Sequence, residues 1–275
     1  MNTTTSPKSE VRSAKAVRTV KPILIRASDF GLLSAFGFRV SDFGLRTSDF
    51  AFRLSIVAGL AFALLAQMVR AQYPNVSPAI AAEARAKQAA ADRRSDEAFG
   101  KALPIIKAWE ARGKPYLPGA AEPKDLPQAR IPAFPGAWGG GMYSFGGRGG
   151  TVFVVTNLAD RGPGTFREAC EAGGPRIVVF NVAGIIRLKE RIRIRAPYIT
   201  LAGNTAPGDG VCIAGDTVEL ESHDIVIRHL RFRRGETWVG DRNDSIGGNP
   251  IGNIMIDHVS ASWGLDENMS MYRHM

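Results

Sequence analysis

A short strand pattern recurs in the second half of this chain, and it limits the fold more than anything else in the sequence. Tyr198-Ile199-Thr200-Leu201, Asp224-Ile225-Val226-Ile227 and Asn253-Ile254-Met255-Ile256 can be laid over one another, with Ile199, Ile225 and Ile254 separated by 26 and then 29 positions. Each segment has apolar residues at alternate places and is bounded by Gly, Asn or Asp, which suits strands rather than helices. An irregular period of roughly 20–30 residues, built from strands without intervening helices, is the signature of a solenoid that stacks parallel strands. The expectation is a parallel β-helix with Ile199, Ile225 and Ile254 in one inward column.

Earlier segments fit the same plan. Ile177-Val178-Val179-Phe180, Gly184 to Leu188 and Ile192-Arg193-Ile194 read as the first rungs. Ahead of them, Thr165 and Glu168 have the spacing of a capping box, in which hydroxyl and carboxylate satisfy free amides at a helix start. A short helix there would cover the open end of the solenoid, whose unpaired strand edges otherwise invite aggregation. The glycine-rich run Gly136–Gly150 precedes the strand Thr151–Thr156 rather than following one and opening a helix, so close backbone packing explains it better than phosphate binding.

The N-terminal part divides in two. Leu54–Ala66 is apolar but shorter than the ~20 residues of a membrane span. Arg53 precedes it and Val69-Arg70-Ala71 follows it, as the charged region and cleavage site of a secretory signal peptide would. Residues 1–71 are therefore expected to be a leader removed on export, leaving no stable membrane span. The repeated Ser-Asp-Phe units at 28, 41 and 48 are too brief to build a solenoid core. Residues 72–130 form the next unit: an Ala-rich helix with Ser77 as N-cap and Pro78 at its first position, interrupted near Pro104, then a linker marked by Pro115, Pro118, Pro123, Pro127 and Pro132. The β-helix domain is assigned to 131–275. Of the formal charge of +9, the leader holds ten basic and four acidic residues, so only +3 remains for 72–275 and nucleic acid is not an expected partner. Two cysteines, Cys170 and Cys212, are too few for a disulfide scaffold and are expected to pack as small hydrophobes.

At the level of motifs, residues 131–271 resemble the pectate lyases. The resemblance rests on Phe134-Pro135-Gly136-Ala137, on Gly164 to Ala169 followed by Pro175 to Phe180, on Asn204 to Asp209, and above all on Ile225 to Phe232, Asp244-Ser245-Ile246, Ile256-Asp257-His258 and Ser262 to Asp266 in that order. It implies an all-β, right-handed parallel β-helix and calcium-assisted β-elimination of 4-linked galacturonan; the protein is expected to be secreted, from its leader, and monomeric. Asp244 and Asp266 match calcium-binding aspartates of the family, with Glu267 able to replace Asp266 if the alignment slips by one. Asp257-His258 matches an Asp-His pair whose alternative reading is a turn-stabilising hydrogen bond.

Arg187, Arg191, Arg193, Arg195, Arg228, Arg231, Arg233 and Arg234 could form a ladder for uronate carboxylates, or simply decorate solvent-facing strands. Arg231 and Arg233 are the expected substrate-binding pair, and Asn204 is a candidate for an internal polar stack. The family's general base is an arginine in a later rung, in an Arg- and Pro-rich motif expected beyond Met275, so the chain is expected to be an incomplete pectate lyase. Two other functions stay open. One is a polygalacturonase on the same fold, for which Asp244, Asp257 and Asp266 supply carboxylates; the other is a non-catalytic solenoid that binds acidic polysaccharide.

Overall fold

The computed structural model describes residues 76–119, 123–235, 243–249 and 252–272. The expected leader and its apolar run lie outside the described residues. Helix α1 (Pro78–Glu110) begins as the sequence dictates: Ser77 is extended, and its hydroxyl accepts from the Ile80 amide at 3.4 Å. The helix does not break at Pro104 but runs through it. Pro104 lies on the exposed face, where the carbonyl deprived of its partner can meet water, while Ala102 and Ile106 on the buried side anchor both flanks.

Among the described residues, thirteen strands form three parallel sheets. The first contains β1 (Thr151–Val155), β2 (Arg176–Phe180), β5 (Ile199–Ala202), β8 (His223–Arg228) and β11 (Gly252–Asp257). The second contains β3 (Gly184–Arg187), β6 (Val211–Ala214), β9 (Arg231–Arg233) and β12 (Ser260–Ser262). The third contains β4 (Ile192–Ile194), β7 (Val218–Leu220), β10 (Ile246–Gly248) and β13 (Met269–Met271). The chain visits one strand of each sheet in turn, giving a parallel β-solenoid of about four turns. Ile199 pairs with Ile225, and Ile225 with Ile254, so the expected column exists. Ile199 and Ile225 are fully buried, and Ile254 packs against the same core.

The corners repeat as faithfully as the strands. Tyr198, Asp224 and Asn253, each one residue before its aligned isoleucine, all have φ near the left-handed region, at 62°, 56° and 50°. Asp and Asn tolerate that conformation better than most residues. Asn253 Nδ2 donates to Asp224 Oδ1 at 3.4 Å, so this pair forms the polar step between turns. Asn204 does not: it is exposed, on a surface turn that follows β5.

Both faces of the first sheet are covered, which explains why β8 is buried almost throughout. The outward residues Val226 of β8 and Met255 of β11 meet Ala137, with Phe134 and Met142 packed beside them. The glycines allow this close cover. A Cβ on Gly147 would lie 1.8 Å from the Arg176 carbonyl oxygen, and one on Gly141 1.9 Å from that of Ile254.

Helix α2 (Phe166–Glu171) has the expected N-terminus: the Glu168 amide donates to Thr165 Oγ1 at 3.2 Å, while the Glu168 carboxylate accepts from the Gly164 amide at 2.7 Å. Phe166, Ala169 and Cys170 of this helix close one end of the core. Arg176 occupies the first place in the inward column, in register with Ile199, and is fully buried. Its guanidinium donates to the carbonyls of Ala169, Cys170, Gly174, Pro197 and Ala196, tying the end of α2 to the first turn. Cys170 is a free buried thiol and Cys212 a free, half-buried one, as expected of packing residues.

Candidate functional site

The third sheet carries the acidic site, and strand register explains how. Ile192, Val218, Ile246 and Met269 stack in one column. Two residues before each stands an acid: Glu190, Asp216, Asp244 and Glu267. The first two are engaged by arginines. Glu190 pairs with Arg94 and Arg161, and Asp216 lies 3.8 Å from buried Arg234. Asp244 and Glu267 differ: among the described residues no salt bridge to Lys or Arg forms at either, nor at Asp266.

Asp244, Asp266 and Glu267 instead converge on one another. Each offers a carboxylate oxygen within 4.8 Å of the other two. The Glu267 amide donates to Asp244 Oδ1 at 3.1 Å, and Ser270 and Tyr272 hydroxyls donate to Glu267 Oε2 at 3.1 and 3.2 Å. Gly247, outward on β10, leaves room for the Asp244 carboxylate; a Cβ there would stand 2.9 Å from Asp244 Oδ2.

This cluster borders an open cleft of about 340 Å³, also lined by Glu219, Glu221, Asn243 and Asn249. Burial raises the Asp244 carboxyl above the usual carboxylate range, and the Glu267 charge adds to this against hydrogen bonds from Ser270 and the Glu267 amide. Glu219 is pushed up to about 7, chiefly by burial and then by Glu221, despite Arg191 and Arg193 nearby. Like charges at short range in a partly desolvated cleft make a cluster that gains from a cation.

The arginines sort by strand. Arg191, Arg193 and Arg195, on and beside β4, face α1, pairing with Asp92 and Asp96, and all three also bridge to Glu219 on β7 or to Glu221 just after it. They hold the helix on the solenoid. Arg234 is fully buried, not solvent-facing; its Nε donates to Asn243 beside Asp244, so it positions the acidic corner from within. Arg231 and Arg233 point outward from β9, in register with Cys212 and Ala214 of β6. Arg233 donates to the Ser260 carbonyl and hydroxyl at 2.9 and 2.8 Å. The acidic trio and the Arg231–Arg233 pair thus sit on different sheets of the same turns.

No family model matches the chain. Similarity to curated proteins is clear over half of it. A 140-residue stretch is 42% identical to "Probable pectate lyase C" of Aspergillus oryzae, and a 141-residue stretch is 45% identical to the protein of the same name in Neosartorya fischeri. Each match covers 50% of this chain and 33% of the relative. Half of this chain is related to the pectate lyases. A more distant pectate lyase relative, "Probable pectate lyase 5" of Arabidopsis thaliana, is 29% identical over 146 residues, 46% of this chain and 35% of its own length. The chain thus spans about one third of the length of the curated pectate lyases that it matches.

Sequence reasoning named all three acids and left open whether Asp266 or Glu267 is the second ligand in the turn after Asp244. Register makes Glu267 the equivalent of Asp244, with Asp266 beside Asn243. The roles of Glu219 and Glu221 were missed. Their alternation on and just after β7, beside Arg191 and Arg193, was the available signal.

Proposed function

We propose that this chain is part of a secreted, calcium-dependent pectate lyase acting on 4-linked galacturonan, with Asp244, Asp266 and Glu267 as its calcium ligands. The observation that supports it is the convergence of those three carboxylates without a neighbouring cationic side chain among the described residues. The donor set fits: calcium takes oxygen ligands, six to eight of them, in flexible geometry, and the open cleft leaves positions for water and for a uronate carboxylate. Calcium bound there would draw charge from the substrate carboxylate and so ease loss of the adjacent proton.

The chain's own residues do the holding. Asp244 and Glu267 are fixed relative to each other by the hydrogen bond from the Glu267 amide to the Asp244 carboxylate, and Ser270 and Tyr272 orient the Glu267 carboxylate. Arg231 and Arg233 would engage uronate groups of the polymer on the adjoining sheet, since guanidinium groups recognise carboxylates through paired N–H donors. Proton abstraction is assigned to no residue of this chain. Export follows from the signal-peptide pattern of residues 53–71, and no helix among the described residues is long and apolar enough to cross a membrane. The polymer-binding chain is proposed to act as a monomer.

A hydrolase on the same fold would give no unsaturated product, so the product separates the two readings. The test is sedimentation of the chain with insoluble polygalacturonate, with calcium and with chelator, alongside absorbance of the unsaturated product. Calcium-dependent binding lost in Asp244→Ala, Asp266→Ala supports the reading. Binding that ignores both calcium and these substitutions would overturn it.

A further inference from the structure

A second constellation lies at the opposite end of β9 and β12. His229 follows β8 and His258 follows β11, at the same position in successive turns, because Arg228 pairs in register with Asp257. Their rings stack with centroids 4.6 Å apart and planes 16° from parallel. Both residues have positive φ, 52° and 51°, a conformation unfavourable for any residue that carries a Cβ. One turn earlier the place belongs to Gly203.

The surroundings orient one imidazole. His258 Nδ1 lies 2.7 Å from Asp257 Oδ1, and the other oxygen of that carboxylate accepts from Arg228 Nε at 2.7 Å. Arg228 is itself held over the Phe134 ring at 3.6 Å. The hydrogen bond read from sequence as a turn contact is therefore present, but it extends into a chain of three polar groups. A carboxylate bound by arginine accepts and does not donate, so Nδ1 carries the proton and the lone pair of His258 is on Nε2. That is how outer carboxylates prepare histidines that bind metals. His258 is exposed, and His229, Asp257 and His258 each offer a ligand atom within 4.8 Å of the others.

We propose that His229 and His258 form a binding site for a zinc-class divalent cation, oriented by Asp257 and independent of the acidic cleft. Imidazole nitrogen selects zinc, nickel or copper, whereas an all-carboxylate set selects calcium. Zinc–nitrogen bonds of about 2.0–2.1 Å place two ligands of a tetrahedral ion roughly 3.4 Å apart, so binding turns the rings out of the present stack until both lone pairs point at one centre. The site opens on a cleft of about 420 Å³, bordered by Asn204, Asp209, Arg231 and Ser260, so water or a small anionic ligand can complete the shell. The bound ion would link the corners of two successive turns.

The experiment is calorimetric titration of the full chain, stripped with chelator, with zinc chloride. Wild type is expected to bind one zinc ion per chain. His229→Gly, His258→Gly should weaken that affinity at least tenfold and keep the circular dichroism spectrum, because glycine adopts these backbone angles freely. Asp257→Asn should weaken zinc by about 10- to 100-fold. Asp244→Ala, Asp266→Ala should leave it unchanged. Absence of zinc binding, equal affinity in the histidine variant, or loss of zinc in the acidic variant instead would each overturn the assignment.

Discussion

Asp244 and Glu267 occupy the same position in successive turns of the solenoid, two residues ahead of the paired Ile246 and Met269, and the Glu267 amide donates to Asp244 Oδ1 at 3.1 Å. A solenoid converts sequence separation into a single step between strands, about 4.8 Å. Two carboxylates 23 positions apart are thereby forced together, at an electrostatic cost that hydrogen bonds from the Glu267 amide and the Ser270 and Tyr272 hydroxyls offset in part and a bound cation would offset further.

Glu267→Gln is expected to weaken calcium binding as much as Asp266→Asn does, about tenfold or more, since affinity follows the charge count of the ligand set. Without calcium the same substitution should be neutral or slightly stabilising, within about 0.5 kcal/mol, because it removes repulsion and opens no cavity. Calcium titration by calorimetry, paired with urea unfolding in chelator, checks both halves. Calcium affinity unchanged in Glu267→Gln would remove it from the site.

The acidic cleft also sets a pH dependence. Glu219 ionises at about 7 in the folded chain against an ordinary value of 4.5, so between these limits the folded state holds more protons than the unfolded one. Stability must then fall as pH rises through that window, by linkage. Asp244, shifted the same way, adds to the trend. Urea midpoints of the calcium-free chain should decline from pH 5 to pH 7, and Glu219→Gln should flatten the slope. An identical slope in that variant would show that the dependence arises elsewhere.

The column Ile199, Ile225, Ile254 was legible in the sequence because inward side chains of a solenoid recur at each turn, and burial enforces that recurrence. The acids were legible for a weaker reason: they resembled a motif. Which acid stacks on Asp244 was not legible, because the loops between strands vary in length and only register resolves a slip of one residue. Arg234 and Arg176 were illegible for a different cause. An arginine in an alternating strand pattern reads as solvent-facing, and its burial depends on carbonyls or acids from distant segments. Asn204 failed in the converse way, since a polar residue in a turn carries no signal for inside or outside.

Arg176 gives a direct test of that point. Its guanidinium satisfies five carbonyls in the interior, and burial lowers its pKa to about 10. Arg176→Ala should destabilise by about 3 kcal/mol or more, because several buried acceptors lose their donor at once. Arg176→Lys should rescue little, since an ammonium cannot reproduce the planar fork. Chemical denaturation of both variants decides; a lysine variant as stable as wild type would mean that charge alone suffices.

Two glycines separate steric need from conformational freedom. Gly147 has no positive φ, yet its Cα faces the Arg176 carbonyl so closely that a Cβ would lie 1.8 Å from the oxygen. Backbone cannot yield as a side-chain tip can, so Gly147→Ala should cost about 1–3 kcal/mol and loosen the cover over the first sheet. Gly100, inside α1 on its exposed side, would give an added methyl group no neighbour within 4 Å. There the only effect of alanine is the gain in helix propensity, so Gly100→Ala should stabilise by about 0.5–1 kcal/mol. Thermal unfolding of the two variants side by side tests the pair: a destabilised Gly100→Ala would show that α1 bends or opens at that residue, and a neutral Gly147→Ala would show that the glycine-rich segment does not lie against the Arg176 backbone.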